Sequence, residues 1–253
     1  MIRVEDYEKS YRETVAVRGL SFEVPAGSVL GVVGPNGAGK TTTMRAIAGI
    51  IPPSRGRLLV AGHDVVKESV AAKSQLAFIP DEPQLFEVLT VWEHLEFTAS
   101  IYRMSTFAPE AERLLEQFEL TEKRDTIAQE LSRGMRQKVA ICCGYLHQPK
   151  AIIFDEPLTG LDPRGIRTLK ASIRERAAAG AAVMVSSHLL DLIEDLCSSL
   201  LLLHKGQSLF QGTIAEAKSR LDTIGTDPSL EDVFFTLTER STASESTSRT
   251  KEF

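Results

Sequence analysis

Residues 28–43, "SVLGVVGPNGAGKTTT", run from an apolar stretch through a glycine-rich turn into a lysine and three threonines. Gly34 to Thr41 fits the spacing G-x-x-x-x-G-K-[ST]. Glycines at these positions let the backbone curl so that its N–H groups point inward around phosphate oxygens. Lys40 then reaches the β- and γ-phosphates, and the Thr41 hydroxyl can ligate Mg²⁺. Gly34, Pro35, Asn36, Gly37, Ala38 and Gly39, followed by Lys40, Thr41 and Thr42, are therefore expected to hold the phosphates of a nucleotide. A helix opening near Gly39 would turn its positive N-terminal end toward the same oxygens. Glycine-rich turns are common, but this one follows an apolar strand and precedes a helix, the context the mechanism requires.

Outward from this loop, strand and helix signals alternate. "LSFEV" (20–24) and the apolar run before Gly34 read as strands, and "KTTTMRAIAGI" (40–50) as the helix after them. "GRLLVAG" (56–62) and "QLAFI" (75–79) are further strand candidates bounded by glycine or proline. From Thr90 to Gln148 the spacing is helical. Ala111, Leu114, Leu115 and Phe118 recur at i, i+3, i+4 and i+7, and Met135, Val139, Cys142 and Leu146 line a second stripe. After Pro149 the strands "AIIF", "AAVMVSS" and "SLLLL" alternate with helical segments near 163–178 and 189–196. That order predicts an α/β core with a parallel sheet, interrupted by a helical insert. The last stretch, "STASESTSRTKEF" (241–253), is nearly free of apolar residues and is expected to be a mobile tail.

Composition narrows the possibilities. The 253 residues, 43% hydrophobic, suffice for one large domain or a domain with a subdomain. A net charge of −5 leaves no overall basic footprint, so no nucleic acid is expected as a partner. No apolar run approaches the ~18 residues of a membrane span. The charged start "MIRVEDYEKSYRE" lacks the apolar stretch of a signal peptide, so a cytoplasmic protein is expected. Cys142, Cys143 and Cys197 form no C-x-x-C pair, which points to buried thiols rather than a disulfide or zinc site.

Two stretches repeat the letters DEP, at 81–83 and 155–157. A metal-holding carboxylate beside the phosphate loop belongs at the end of a buried strand. "AIIF" runs straight into Asp155, which places Asp155 on the metal and Glu156 next along, as general base toward attacking water. Pro80 ends the strand before Asp81, because proline cannot donate to a ladder, so Asp81 and Glu82 belong to a loop.

With these residues in place, the chain resembles the nucleotide-binding subunit of an ATP-binding cassette (ABC) transporter, from its first strand to about Thr238. "LSRGM" (131–135) is similar to the family signature LSGGQ, "GLD" (160–162) to its D-loop, and His188 in "VSSHLLD" to its switch histidine. Tyr11 resembles the aromatic residue that stacks on adenine, with Tyr7 as its rival. Asp81 stands where most members carry the Q-loop glutamine, which contacts Mg²⁺; aspartate keeps an oxygen ligand and loses the amide donor. The resemblance implies a P-loop NTPase core with a RecA-like mixed or parallel sheet and flanking helices, an N-terminal antiparallel β portion and an inserted helical subdomain. Its expected limits are 1–222 for the nucleotide-binding domain, with the core at 1–83 and 148–222 and the helical subdomain at 84–147. A C-terminal helix at 223–240 would precede the tail.

Function follows from the same resemblance. Two such subunits would sandwich two ATPs head to tail, with Ser132 and Gly134 of one binding the γ-phosphate held by the other; Asp162 of the D-loop match is also expected among the nucleotide-binding residues. Ser132 also suits a helix N-cap. The acidic Asp81 and the "SRGM" signature resemble an export-type subset, so the chain is expected to be an ATPase driving a separate membrane-spanning subunit, peripheral on the inner face of the membrane. A soluble ABC ATPase acting on ribosomes or DNA is the alternative; it would usually carry two cassettes or a long coiled-coil insert. A nucleotide sensor without turnover would not need Glu156 and His188. Phe86, Val88, Leu89 and Trp92 are expected to form the surface that meets the membrane subunit.

Overall fold

The computed structural model describes residues 1–220 and 229–249. The chain opens with β1 (Ile2–Tyr11), β2 (Thr14–Val24), β3 (Val29–Val33), α1 (Lys40–Ile47), β4 (Arg55–Val60) and β5 (His63–Asp64). Next come α2 (Ser69–Ser74), β6 (Leu76–Ile79), α3 (Val91–Ile101), α4 (Ala108–Gln117) and α5 (Arg133–Leu146). The remaining elements are β7 (Ala151–Asp155), α6 (Pro163–Ala178), β8 (Ala182–Ser186), α7 (Leu190–Leu196), β9 (Ser199–His204), β10 (Gln207–Thr213), α8 (Ile214–Ser219) and α9 (Leu230–Arg249).

Six strands in the order β10-β9-β3-β8-β7-β6 form the main sheet, parallel except for β10, which runs antiparallel to β9. The N-terminal half contributes a separate antiparallel sheet, β2-β1-β4-β5. This is the mixed α/β architecture, with its separate antiparallel portion, that the resemblance implies. The inner strands read as unbroken apolar runs because both faces are covered. Alternate residues of one strand therefore enter different cores. Leu30, Val32 and Ile153 pack with Tyr7, Phe22, Met44 and Ile47 on the side of the antiparallel sheet. Val33, Phe154 and Val185 pack with Leu95, Leu114, Tyr145 and Ile173 on the other side.

Register brings the chemistry together. Asp155 pairs with Ser186 across β7 and β8, and β3 lies on the other side of β8. The carboxyl ends of three neighbouring parallel strands thus share one edge, where ligands of open α/β sheets bind.

Three strands are not marked by the sequence pattern: β1, β10 and the two-residue β5. In β1 the inward positions are Ile2, Val4 and Tyr7, because the register jumps between Val4 and Tyr7 and Asp6 takes a positive φ of 46°. A bulge of this kind breaks the two-residue period. A second register shift, between Ser208 and Phe210, does the same in β10. At the other end, α9 runs to Arg249, so residues 241–249 are helical where composition suggests a mobile tail. Extending a formed helix costs far less than nucleating one, and no glycine or proline interrupts 230–249. The expected helix start at 223 and the tail residues 250–253 lie outside the described residues.

Candidate active site

β3 ends at Val33 and the chain turns through Gly34–Gly39 into α1. A Cβ on Gly34 would collide with the carbonyl oxygen of Leu203, so the loop can leave the sheet this closely only without a side chain. Gly39, the N-cap of α1, has φ 102°, a conformation costly for any L side chain. It offers no side-chain cap, and the first turn of α1 carries no acidic residue. The leading amides are thereby left to an external anion, the condition under which helix N-termini bind phosphate.

Residues 35–42 line a cleft of about 420 Å³ together with Ala16, Asp81, Asp155 and Glu156. Over it, the Lys40 ammonium donates to the carbonyls of Gly34 at 2.6 Å and Pro35 at 3.3 Å. Burial lowers the Lys40 pKa, while the nearby Glu156 and Asp155 carboxylates oppose that shift. A cation held by loop carbonyls can exchange them for phosphate oxygens, which are stronger acceptors.

Opposite the lysine, Ser186 organises the carboxylates. Its hydroxyl donates to Asp155 Oδ1 at 2.7 Å and accepts the Glu156 N–H at 3.0 Å. Glu156 itself has φ 50°, strain that costs about 1–3 kcal/mol and collects at functional positions. Its Oε2 lies 2.8 Å from His188 Nδ1 and accepts the His188 N–H at 3.3 Å. The glutamate is therefore aimed, with one face toward the cleft and one held by the histidine. Ser186 carried no signal in the sequence; only its pairing with Asp155 reveals it. Ser186→Ala should cost about 1–3 kcal/mol, the price of a lost bond to a charged group. That loss should appear as a lower melting temperature and a roughly tenfold fall in ATPase turnover; wild-type values in both would remove Ser186 from the site.

The other candidate residues divide into two groups. Asp81 lines the cleft, but its Oδ1 lies 3.2 Å from the Arg133 guanidinium. Thr41, Asp81 and Asp155 offer hard oxygen donors of the kind Mg²⁺ takes. Among the described residues, no group of three His, Cys, Asp or Glu side chains could hold a metal, so a cation here would need phosphate and water ligands too. Ser132, Gly134, Asp162 and Tyr11 are not on the cleft wall. Ser132 caps α5 by accepting the Met135 N–H, and Asp162 caps α6 by accepting the Gly165 N–H at 3.2 Å. Gly134 must be glycine, since a Cβ there would strike the Gly160 carbonyl oxygen. Tyr11 sits half exposed at the β1–β2 hairpin, paired with Thr14, and it is Ala16 that borders the cleft. The hairpin turn falls at Arg12, which has φ 52°. Tyr7 is fully buried, which removes it as the alternative stacking residue.

The sequence profile of the ABC transporter family matches residues 17–159. The chain belongs to the ABC transporter family. ABC-type transporter ATP-binding protein EcsA of Bacillus subtilis (strain 168) is 34% identical over 94% of this chain and 97% of its own length. Nod factor export ATP-binding protein I of Paraburkholderia xenovorans (strain LB400) is 33% identical over 83% of this chain and 70% of its own length. Among solved structures, an ATP binding subunit of an ABC transporter superposes with a TM-score of 0.88 at 34% identity, covering 94% of this chain and 99% of that one. The ABC chain described here is an ATP-binding transporter subunit and an ATPase whose hydrolysis is coupled to transport. None of its described helices is long and apolar enough to cross a membrane.

Proposed function

We propose that this ABC ATPase powers a separate membrane-spanning subunit, in the export direction, from the cytoplasmic face of the membrane. It would act as an ATP-bridged pair, either with a second copy or with a related nucleotide-binding subunit. One observation carries the pairing: Lys40, Asp155 and Glu156 surround a single cleft, while Ser132 and Gly134 lie off its wall. A site with its phosphate loop and base but without its signature turn is half of a composite site. In that reading Ser132 and Gly134 complete the partner's cleft, Asp162 lies at the seam, and Tyr11 meets the adenine.

Within the cleft, Lys40 binds the β- and γ-phosphates, and Glu156 takes the proton of the water that attacks the γ-phosphorus. His188 holds Glu156 in place. Thr41, Asp155 and Asp81 would hold Mg²⁺, which when bound neutralises charge on the phosphate oxygens. The helical segment at 84–147 would act as a subdomain between this cleft and the membrane partner.

The partner surface is supported by exposure. Phe86 and Val88 are exposed, and Phe97 and Ile101 of α3 extend the apolar patch. His94 fixes the loop beneath them, its Nε2 accepting the Phe86 N–H at 3.0 Å. A capping box at Thr90 and Glu93 fixes where α3 starts. Trp92 does not belong to this surface; it packs on Phe107 and under the Arg124 guanidinium. Exposed apolar groups clustered in this way mark an interaction site. Phe86→Asp and Val88→Asp should each abolish co-purification with a multi-span membrane subunit while leaving basal ATPase within about twofold, because both side chains are exposed and neither lines the cleft. Retained co-purification would remove this patch. Co-sedimentation of the wild type with ribosomes, and with no membrane protein, would favour the soluble alternative instead. The export direction draws on the Nod factor export relative and on the acidic loop with its "SRGM" signature.

A further inference from the structure

α5 grips the Asp81 loop with two side chains one turn apart. Gln137, fully buried, donates from Nε2 to the Pro80 carbonyl at 3.3 Å, and its Oε1 has no hydrogen-bond partner among the described residues. Four residues earlier, Arg133 reaches Asp81 Oδ1 at 3.2 Å and Glu82 Oε1 at 3.8 Å. Positions i and i+4 share one helix face, so both contacts fall on the same three-residue loop. The Arg133 stem also lies across Gly160, where a Cβ would come within 3.1 Å of the Arg133 Cγ and Cδ. One side chain thus touches the loop on the cleft wall, the turn that precedes α6 and the N-terminus of α5.

The two contacts differ in kind. The Gln137 bond is part-buried and made by a side chain that is itself buried. The Arg133–Asp81 pair is open, with 51% and 44% of the two side chains exposed, so it adds little to global stability and can exchange. Asp81 has competing demands on it, because the same carboxylate lines the cleft that receives the nucleotide. Any cation or phosphate arriving there changes the field that Arg133 feels. Arg133 is also the first residue of α5, directly after Ser132, so whatever moves the guanidinium acts on the signature turn.

We propose that Arg133 is a positioning residue that fastens the signature turn of a subunit to that subunit's own Asp81 loop, so that occupancy of one ATP site is passed to the other. The cross-site part rests on the composite-site reading above; the tether itself is a property of the single subunit.

Two measurements separate the parts. In the nucleotide-free protein, Arg133→Ala should speed amide hydrogen exchange across residues 81–86 by about two- to fivefold, the range that an exposed ion pair supports, with the melting temperature barely moved. Arg133→Lys should restore most of the protection. In an Asp81→Asn background, Arg133→Ala should add nothing. Unchanged exchange in Arg133→Ala, or an equal effect in the Asp81→Asn background, overturns the tether. With ATP, the wild type should hydrolyse with a Hill coefficient above 1, and Arg133→Ala should bring it to about 1 while affinity of the monomer for a fluorescent ATP analogue stays the same. A Hill coefficient unchanged in Arg133→Ala overturns the cross-site role. If the wild type itself shows neither cooperativity nor an ATP-dependent dimer, the composite-site reading fails, and the exchange data still decide the tether.

Discussion

Glu156→Gln is expected to bind ATP with near-native affinity and to hydrolyse it about 10²–10⁴-fold more slowly, the loss that follows removal of a general base. Glutamine keeps the shape of the side chain and tolerates the φ of 50° no worse than glutamate. Its amide oxygen can still accept from His188, so the local packing survives. What disappears is the carboxylate able to take a proton from water. Because bridged nucleotide would no longer be consumed, the variant should accumulate as an ATP-bound pair, resolved from monomer by size-exclusion chromatography. Turnover at the wild-type rate would move the base elsewhere. Slow turnover without a dimer would keep the base and sink the composite site.

Lys40→Ala should weaken ATP binding by about 10- to 100-fold, since a charge-assisted hydrogen bond contributes roughly 1.5–3 kcal/mol. Lys40 is the one lysine or arginine on the cleft wall, among the described residues, and its ammonium is already desolvated and held over the loop. Pro35, whose carbonyl is one of the two it now satisfies, lies on the cleft wall, so water can reach that carbonyl and the fold should persist. Circular dichroism and a fluorescent ATP analogue together test this. Native-like affinity in a folded variant would mean that the loop amides bind the phosphates unaided and that the lysine serves the loop alone.

Much of this protein was legible along the chain. The loop from Gly34 to Thr42 could be assigned because phosphate binding needs backbone amides, one cation and one hydroxyl at fixed spacing, all supplied by consecutive residues. The second DEP could be told from the first because an unbroken apolar run leads into Asp155, whereas Pro80 stops the strand before Asp81. The helical stripes 111–118 and 135–146 were readable for the same reason: periodicity is a local property. β1 and β10 were not, since a bulge in each shifts the alternation and erases the pattern it would be read from.

Contacts between distant segments needed the tertiary structure. Ser186 is an ordinary serine until parallel register sets it beside Asp155, 31 positions away in the chain. Tyr7 and Tyr11 look equivalent on one strand, yet the first is buried beside the bulge and the second is left exposed at the hairpin. Trp92 looks like a surface anchor in "LTVWEH" and turns out to be packed within the insert. Arg133 reads as a departure from a glycine-rich signature, and its link to Asp81 spans 52 positions. Spacing along a chain encodes what neighbouring residues can do; which distant groups share a charge or a proton is decided by how sheet register and helix packing bring the segments together.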